Sequence, residues 1–176
     1  RHKQDPVTIW CSAASTGEEP YSIAMTLLET LGAKASQAKV IATDIDTDAL
    51  AKARKGIYPQ EQVRKLDEAR VKRFFQKGTG NHIGLARVRP EVSALVEFMP
   101  LNLLAPQWPI KGPFDAIFCR NVMIYFDKET QAKILKRFAP LMKQDGLLFA
   151  GHSENFSYIS DAFKLRGQTV YTLANK

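Results

Sequence analysis

Short apolar runs alternate with amphipathic stretches along this chain, and the alternation dictates a parallel sheet with helices crossing over its faces. Val7 to Ala13 reads as a strand, Pro20 to Leu31 as an amphipathic helix, Lys39 to Ile45 as a strand and Thr47 to Lys55 as a helix. Val96 to Leu101, Phe114 to Cys119 and Gly146 to Ala150 continue the strands, with a helix from about Lys128 to Met142 between the last two. Phe163 to Ala174 alternates about Arg166 and Gly167 like a terminal antiparallel hairpin. The expected fold is α/β, with a doubly wound and mostly parallel sheet.

Between Pro59 and Val96 the rhythm breaks. A basic helix is followed by Phe74-Phe75, a Gly78-Thr79-Gly80 turn and the alternating Leu85, Arg87, Arg89 run. This predicts a small helix-plus-hairpin insertion, antiparallel in its β part, at about 59–96 on the edge of the main sheet. Many of the cations behind the net charge of +7 fall here, with Arg64, Lys65, Arg70, Lys72, Arg73 and Lys77 close together. Two readings are open: an acidic partner, either nucleic acid or protein, or a solvated helix face.

A length of 176 residues, 45% of them hydrophobic, suffices for one domain with its own core. Cys11 and Cys119 lie in apolar runs without zinc-site spacing, so no metal and a reducing, cytoplasmic setting are expected. No stretch reaches the roughly 18 to 20 apolar residues of a membrane helix, and no charged-then-apolar leader opens the sequence. It begins at Arg1, as a segment of a longer polypeptide would.

Doubly wound sheets bind ligands beyond the carboxyl ends of their strands. After the first strand comes Ser12-Ala13-Ala14-Ser15-Thr16-Gly17-Glu18-Glu19-Pro20, small residues leading into an acidic helix start. A pyrophosphate there would face two carboxylates, whereas S-adenosylmethionine presents an ammonium and a sulfonium that acids stabilise. The alternative is a capping box of Ser15 with Glu18, or of Thr16 with Glu19. Asp44, ending the second strand, stands where ribose hydroxyls are held, and Asp46 suits a helix cap. Asn102 is placed to offer its amide to an adenine edge while Leu103 packs on the ring face, a turn-capping Asn being the alternative. Tyr125, beyond the fourth strand, either lines the site or is an ordinary packed aromatic. Neither the Asn/Asp-Pro-Pro-aromatic tetrapeptide of base-amino methylation nor a nucleophilic cysteine after proline is present. The three histidines are scattered, and His152 in Gly151-His152-Ser153-Glu154-Asn155-Phe156 reads as part of a capped loop rather than as a general base.

Residues 12–24 (SAASTGEEPYSIA), 42–50 (ATDIDTDAL), 114–130 (FDAIFCRNVMIYFDKET) and 146–157 (GLLFAGHSENFS) together closely resemble the bacterial chemotaxis receptor glutamate O-methyltransferases, known as CheR. The resemblance implies a seven-stranded, Rossmann-like methyltransferase sheet and methyl transfer from S-adenosylmethionine to glutamate side chains on chemoreceptor helices. It implies cofactor contacts at Ala13, Glu19, Asp44, Asn102, Leu103 and the Cys119-Arg120-Asn121 corner, with Tyr125 lining the active site. It also implies that Lys77, Gly78, Gly80 and Arg87 accept a receptor's C-terminal peptide tether by strand addition. Lys77 stands where some relatives have arginine, keeping the charge without the bidentate fork. An N-terminal helical domain that closes over the cofactor is usual in the family, and this sequence lacks it. The implied protein is a cytoplasmic monomer recruited to receptor arrays, with no nucleic-acid partner. The competing readings are an RNA methyltransferase gripping phosphate with the basic insertion, and a non-catalytic module with a vestigial pocket.

Overall fold

The strand β1 (Thr8–Cys11) feeds two cores at once, since Ile9 and Cys11 enter one apolar cluster while Trp10 between them enters another. Burial on both faces is the mark of an interior strand of a parallel sheet. The computed structural model describes residues 5–174. From β1 the chain passes through α1 (Glu18–Leu31), β2 (Lys39–Asp44) and α2 (Thr47–Lys55). It then forms β3 (Ile57–Pro59), α3 (Gln60–Val63), α4 (Glu68–Phe74), β4 (Phe75–Lys77), β5 (Leu85–Val88) and α5 (Pro90–Ser93) before β6 (Val96–Pro100). It finishes with β7 (Phe114–Cys119), α6 (Lys128–Phe138), β8 (Met142–Ala150), β9 (Phe163–Gly167) and β10 (Val170–Leu173).

The main sheet has seven strands in the order β6-β2-β1-β7-β8-β10-β9. It is parallel from β6 to β8 and antiparallel at β10 and β9. Successive strands travel outward from β1 to β6, and the chain then returns to lay β7 against β1 on the other side. The strand order therefore reverses between β1 and β7, the kind of crevice where such sheets bind ligands. This is the doubly wound, mostly parallel sheet expected from the alternation.

Element ends differ from expectation for identifiable reasons. Helix α1 starts at Glu18, ahead of Pro20, because a first-turn proline lacks only an N–H that has no intrahelical acceptor. Its buried Tyr21, Ala24, Met25 and Leu28 recur at helical spacing and cover one sheet face. At the other end of the sheet, α6 stops at Phe138, before a 3-10 turn containing Pro140, so β8 begins at Met142 rather than Gly146. The final hairpin turns after Gly167, with Gln168 at φ 51°, and not about Arg166 and Gly167.

The insertion carries a three-stranded antiparallel sheet, β3-β5-β4, where a hairpin was expected. Its β5 ends at Val88, so Arg89 lies outside the ladder. Nor does it extend the edge of the main sheet. Tyr58, Val63, Phe74, Phe75, Ala86 and Val88 join the same cluster as α1, and the rings of Tyr21 and Tyr58 meet edge to face at 6.3 Å.

Trp10 is fully buried, with Phe138 at 5.2 Å and Trp108 at 5.3 Å between ring centroids. Its indole N–H donates to the hydroxyl of buried Thr43 at 3.0 Å, and that hydroxyl donates to the Ser12 carbonyl at 3.1 Å. Thr43→Val strips a buried N–H of its acceptor and a carbonyl of its donor. The variant is expected to lose about 1–3 kcal/mol of stability in urea unfolding; an unchanged midpoint would show that this relay contributes nothing.

Candidate active site

Three chain segments leave the sheet at the β1–β7 crevice, and main-chain hydrogen bonds tie them together. The Ser12 N–H and hydroxyl both donate to the Phe118 carbonyl at 2.9 Å, and the Ala14 N–H donates to the Thr43 carbonyl at 2.8 Å. The loop then passes through Ser15 at φ 51° and Gly17 at φ 100°. A Cβ at Gly17 would stand 2.8 Å from the Tyr58 hydroxyl oxygen and 2.9 Å from Ala53 Cβ, so glycine is required by conformation and by space. No side chain caps α1 at Gly17, and Thr16 donates its hydroxyl to Glu18 at 2.5 Å, so neither capping box forms.

Asp44 and Glu19, the two acids assigned to a ligand, stand at the tips of β2 and α1. The Asp44 carboxylate accepts the N–H of Ser15 at 2.8 Å and of Asp46 at 2.9 Å, which pins the small-residue loop against the end of β2. Asp46 caps α2, accepting from the N–H of Asp48 and of Ala49, as its position predicts. Glu19 forms an ion pair with Arg120 at 3.1 Å across the crevice, and the Cys11 thiol donates to its other oxygen at 3.1 Å. Two residues assigned separately to the ligand thus hold each other. Half-buried Ala13 lies in the same loop.

Asn102 is exposed, and its side-chain oxygen accepts the Leu104 N–H at 2.9 Å, so it caps its own turn. Leu103 departs from expectation. Its side chain is 6% exposed in the cluster around Trp10, which leaves only its main chain for a ligand. The exposed apolar groups at these tips are Ile45, 67% exposed, and Leu104, 56% exposed. The sequence reading passed over both, although Ile45, apolar between Asp44 and Asp46, was an available signal; Leu104, among other apolar residues, gave none.

At the tip of β7 the Cys119 side chain is fully buried, so the corner presents main chain there, followed by exposed Arg120 and exposed Asn121 at φ 61°. A 3-10 turn, Met123–Tyr125, carries Tyr125 with 79% of its surface exposed, outside the packed core of the described residues. The corner rests on Glu154, a residue the sequence reading did not single out. On the small sheet, Lys77, Gly78 and Arg87 line a cavity of about 210 Å³. Gly80, just outside it, turns the β4–β5 loop at φ 58°. At Gly78 a Cβ would collide with the His82 carbonyl oxygen.

Among the described residues, no cluster of His, Cys, Asp and Glu is arranged to hold a metal ion, and no helix is long and apolar enough to cross a membrane. A family described as CheR methyltransferase, SAM binding domain, matches residues 1–172. A chemotaxis protein methyltransferase of Escherichia coli (strain K12) is 60% identical over 174 residues, covering 99% of this chain and 61% of that protein. One from Klebsiella aerogenes is 60% identical over 176 residues, covering 100% of this chain and 61% of that protein. The chain therefore spans about 61% of the length of these relatives. A solved structure described as a pericyclic reaction enzyme superposes with a TM-score of 0.54 at 13% identity, covering 98% of this chain and 44% of its own, a likeness of fold alone.

Burial raises both thiols above their ordinary value of 9.0, and the Glu19 carboxylate adds to the effect at Cys11. A proton bound more tightly in the folded state stabilises it fully at pH below the unfolded thiol's range, and that stability is lost progressively as the pH rises from there toward the raised folded-state value. Stability is therefore expected to hold up to about pH 8 and to fall above about pH 9. Neither native thiol should react with iodoacetamide at pH 8, and both should react in urea. Rapid native alkylation of either would contradict their burial.

Proposed function

The chain belongs to the CheR methyltransferase family, and from that membership we propose that it forms the S-adenosylmethionine-binding, catalytic domain of a protein that methylates glutamate side chains of chemotaxis receptors. The observation that carries this reading is the pair of acids, Glu19 and Asp44, at the open strand tips beside the reversal of strand order. A pyrophosphate at the start of α1 would face the carboxylates of Glu18 and Glu19, whereas a cationic methyl donor is attracted there, and Asp44 suits ribose hydroxyls.

The donor set fits that cofactor. Glu19 suits its ammonium, Asp44 its ribose hydroxyls and Asn102 the adenine edge. The main chain at Ala13, Leu103 and the Cys119-Arg120-Asn121 corner completes the contacts. Exposed Ile45 and Leu104 supply an apolar surface for the adenine ring. When bound, S-adenosylmethionine supplies a methyl group on sulfonium sulfur, open to attack by an oxygen nucleophile.

A glutamate side chain, with a reference pKa of about 4.3, is already an anion near neutral pH, so the chain need not provide a general base. What its residues must provide is alignment, an effect that reaches roughly 7–11 kcal/mol in favourable systems. Exposed Tyr125 stands beyond the tip of β7 as the positioning group for the incoming carboxylate. Arg120 is paired with Glu19 in this structure, and an ammonium reaching Glu19 would share or displace that guanidinium.

The segment at about 59–96 acts in this reading as a β-subdomain, with Lys77, Gly78, Gly80 and Arg87 receiving a receptor's peptide tether. The rest of the reading is a metal-free, monomeric protein that works in the cytoplasm at receptor arrays and carries an N-terminal helical domain in its full-length form.

The decisive experiment incubates the full-length protein with labelled cofactor and receptor membranes. Base-labile methyl esters on receptor glutamate are expected, and label in RNA or no transfer would overturn the reading. Asp44→Ala should weaken calorimetric binding of S-adenosylhomocysteine by at least about tenfold, the scale of losing a hydrogen bond to a charged group. Unchanged affinity in a folded variant would remove the ribose assignment.

A further inference from the structure

The loop after β8 ends in a feature that no step above uses. Glu154 is only 8% exposed, yet its carboxylate contacts no cation among the hydrogen bonds and ion pairs of the described residues. Three main-chain N–H groups converge on it instead. Asn121 donates to Oε1 at 2.7 Å and Gly151 to the same oxygen at 2.8 Å, while Met123 donates to Oε2 at 2.9 Å. Two of the donors lie beyond the tip of β7 and the third beyond the tip of β8. One buried anion therefore clamps two neighbouring strand exits.

The clamp has a geometric counterpart. Asn121 is left-handed, at φ 61°, a region that asparagine enters more readily than other residues with a Cβ. Its side-chain oxygen lies over Gly151, where a Cβ would collide with it and would stand 2.9 Å from Glu154 Oε1. The loop bearing Glu154 is itself fixed, since the Phe156 N–H donates to the buried Tyr171 hydroxyl at 3.0 Å and Phe156 is fully buried against that ring. Strand β10 thus anchors the loop, the loop presents the carboxylate, and the carboxylate fixes Asn121 and the first residue of the turn that carries Tyr125.

We infer that Glu154 is the positioning residue of the site, its buried carboxylate holding three main-chain N–H groups so that Arg120, Asn121 and Tyr125 stand where the reaction needs them. The inference rests on the reading of Tyr125 and the β7 corner given under the proposed function. An anion is required because it offers acceptors on both oxygens. Glutamine retains one acceptor and turns an NH2 group toward the Met123 N–H, two donors face to face.

The test uses the full-length protein with two variants, Glu154→Gln and Gly151→Ala, the second pressing on Asn121 from the opposite side. In E154Q, the amides of Asn121, Met123 and Gly151 should exchange at least about tenfold faster, and those of β1 at the wild-type rate. Turnover to methyl ester at saturating donor, per folded protein, should fall roughly 10- to 100-fold in both variants, a larger factor than the weakening of S-adenosylhomocysteine binding that displacing the Asn121 main chain also brings. A merely structural role would lower total activity and binding capacity together through loss of folded protein. Wild-type exchange and wild-type turnover in E154Q would overturn the inference. If E154Q does not fold, wild-type turnover in G151A overturns it. Should the wild-type protein itself make no ester and bind no S-adenosylhomocysteine, the proposed function fails, and exchange at the three amides still decides whether Glu154 holds the corner.

Discussion

The hydrogen bond from Trp10 to Thr43 joins the heaviest part of the core to the most delicate part of the molecule. Trp10 sits in the layer formed with Phe138 and Trp108, and Thr43 passes the bond to the main chain of Ser12, the first residue beyond β1. A parallel sheet leaves its strand ends without a partner hairpin, so loops leaving those ends would otherwise wander. Here the indole, the hydroxyl and the carbonyl, all buried, register β1 against β2 from beneath. The crevice inherits its shape from that registry.

Above this layer, three acids each hold partners of a different kind. Asp44 is held by two N–H groups, Glu19 by a guanidinium and a thiol, and Glu154 by three N–H groups. The three are not equivalent. Glu19 shares its charge with a partly exposed arginine and can exchange that partner, whereas Glu154 is buried among main-chain dipoles and has no alternative. The first arrangement suits a group that meets a ligand, and the second suits one that keeps the frame still.

Much of this was legible in the amino-acid sequence, because the sheet is written in alternating apolar runs and the acids are written at their ends. Asp44 and Glu19 could be picked by type and place. Their partners could not, since Arg120 lies 101 residues from Glu19 and only the return of the chain to β7 brings it across. The three residues of β3 are too few to show a period, so a small sheet read as a hairpin. Leu103 was misplaced because a turn between buried and exposed leucines gives no sign of which faces inward. Glu154 was invisible for a deeper reason. Its partners are backbone groups, which leave no trace in residue identity.

Tyr58 offers one more consequence. It belongs to the first strand of the small sheet, yet its hydroxyl donates to the Thr16 carbonyl at 2.7 Å, close above the glycine that admits no side chain. This phenol thereby rivets the appendage to the rim of the crevice, beside the shared apolar cluster and the Arg70–Glu29 ion pair that seat it on α1. A load borne by the appendage is spread over all three, and the phenol is the one that delivers it to the rim.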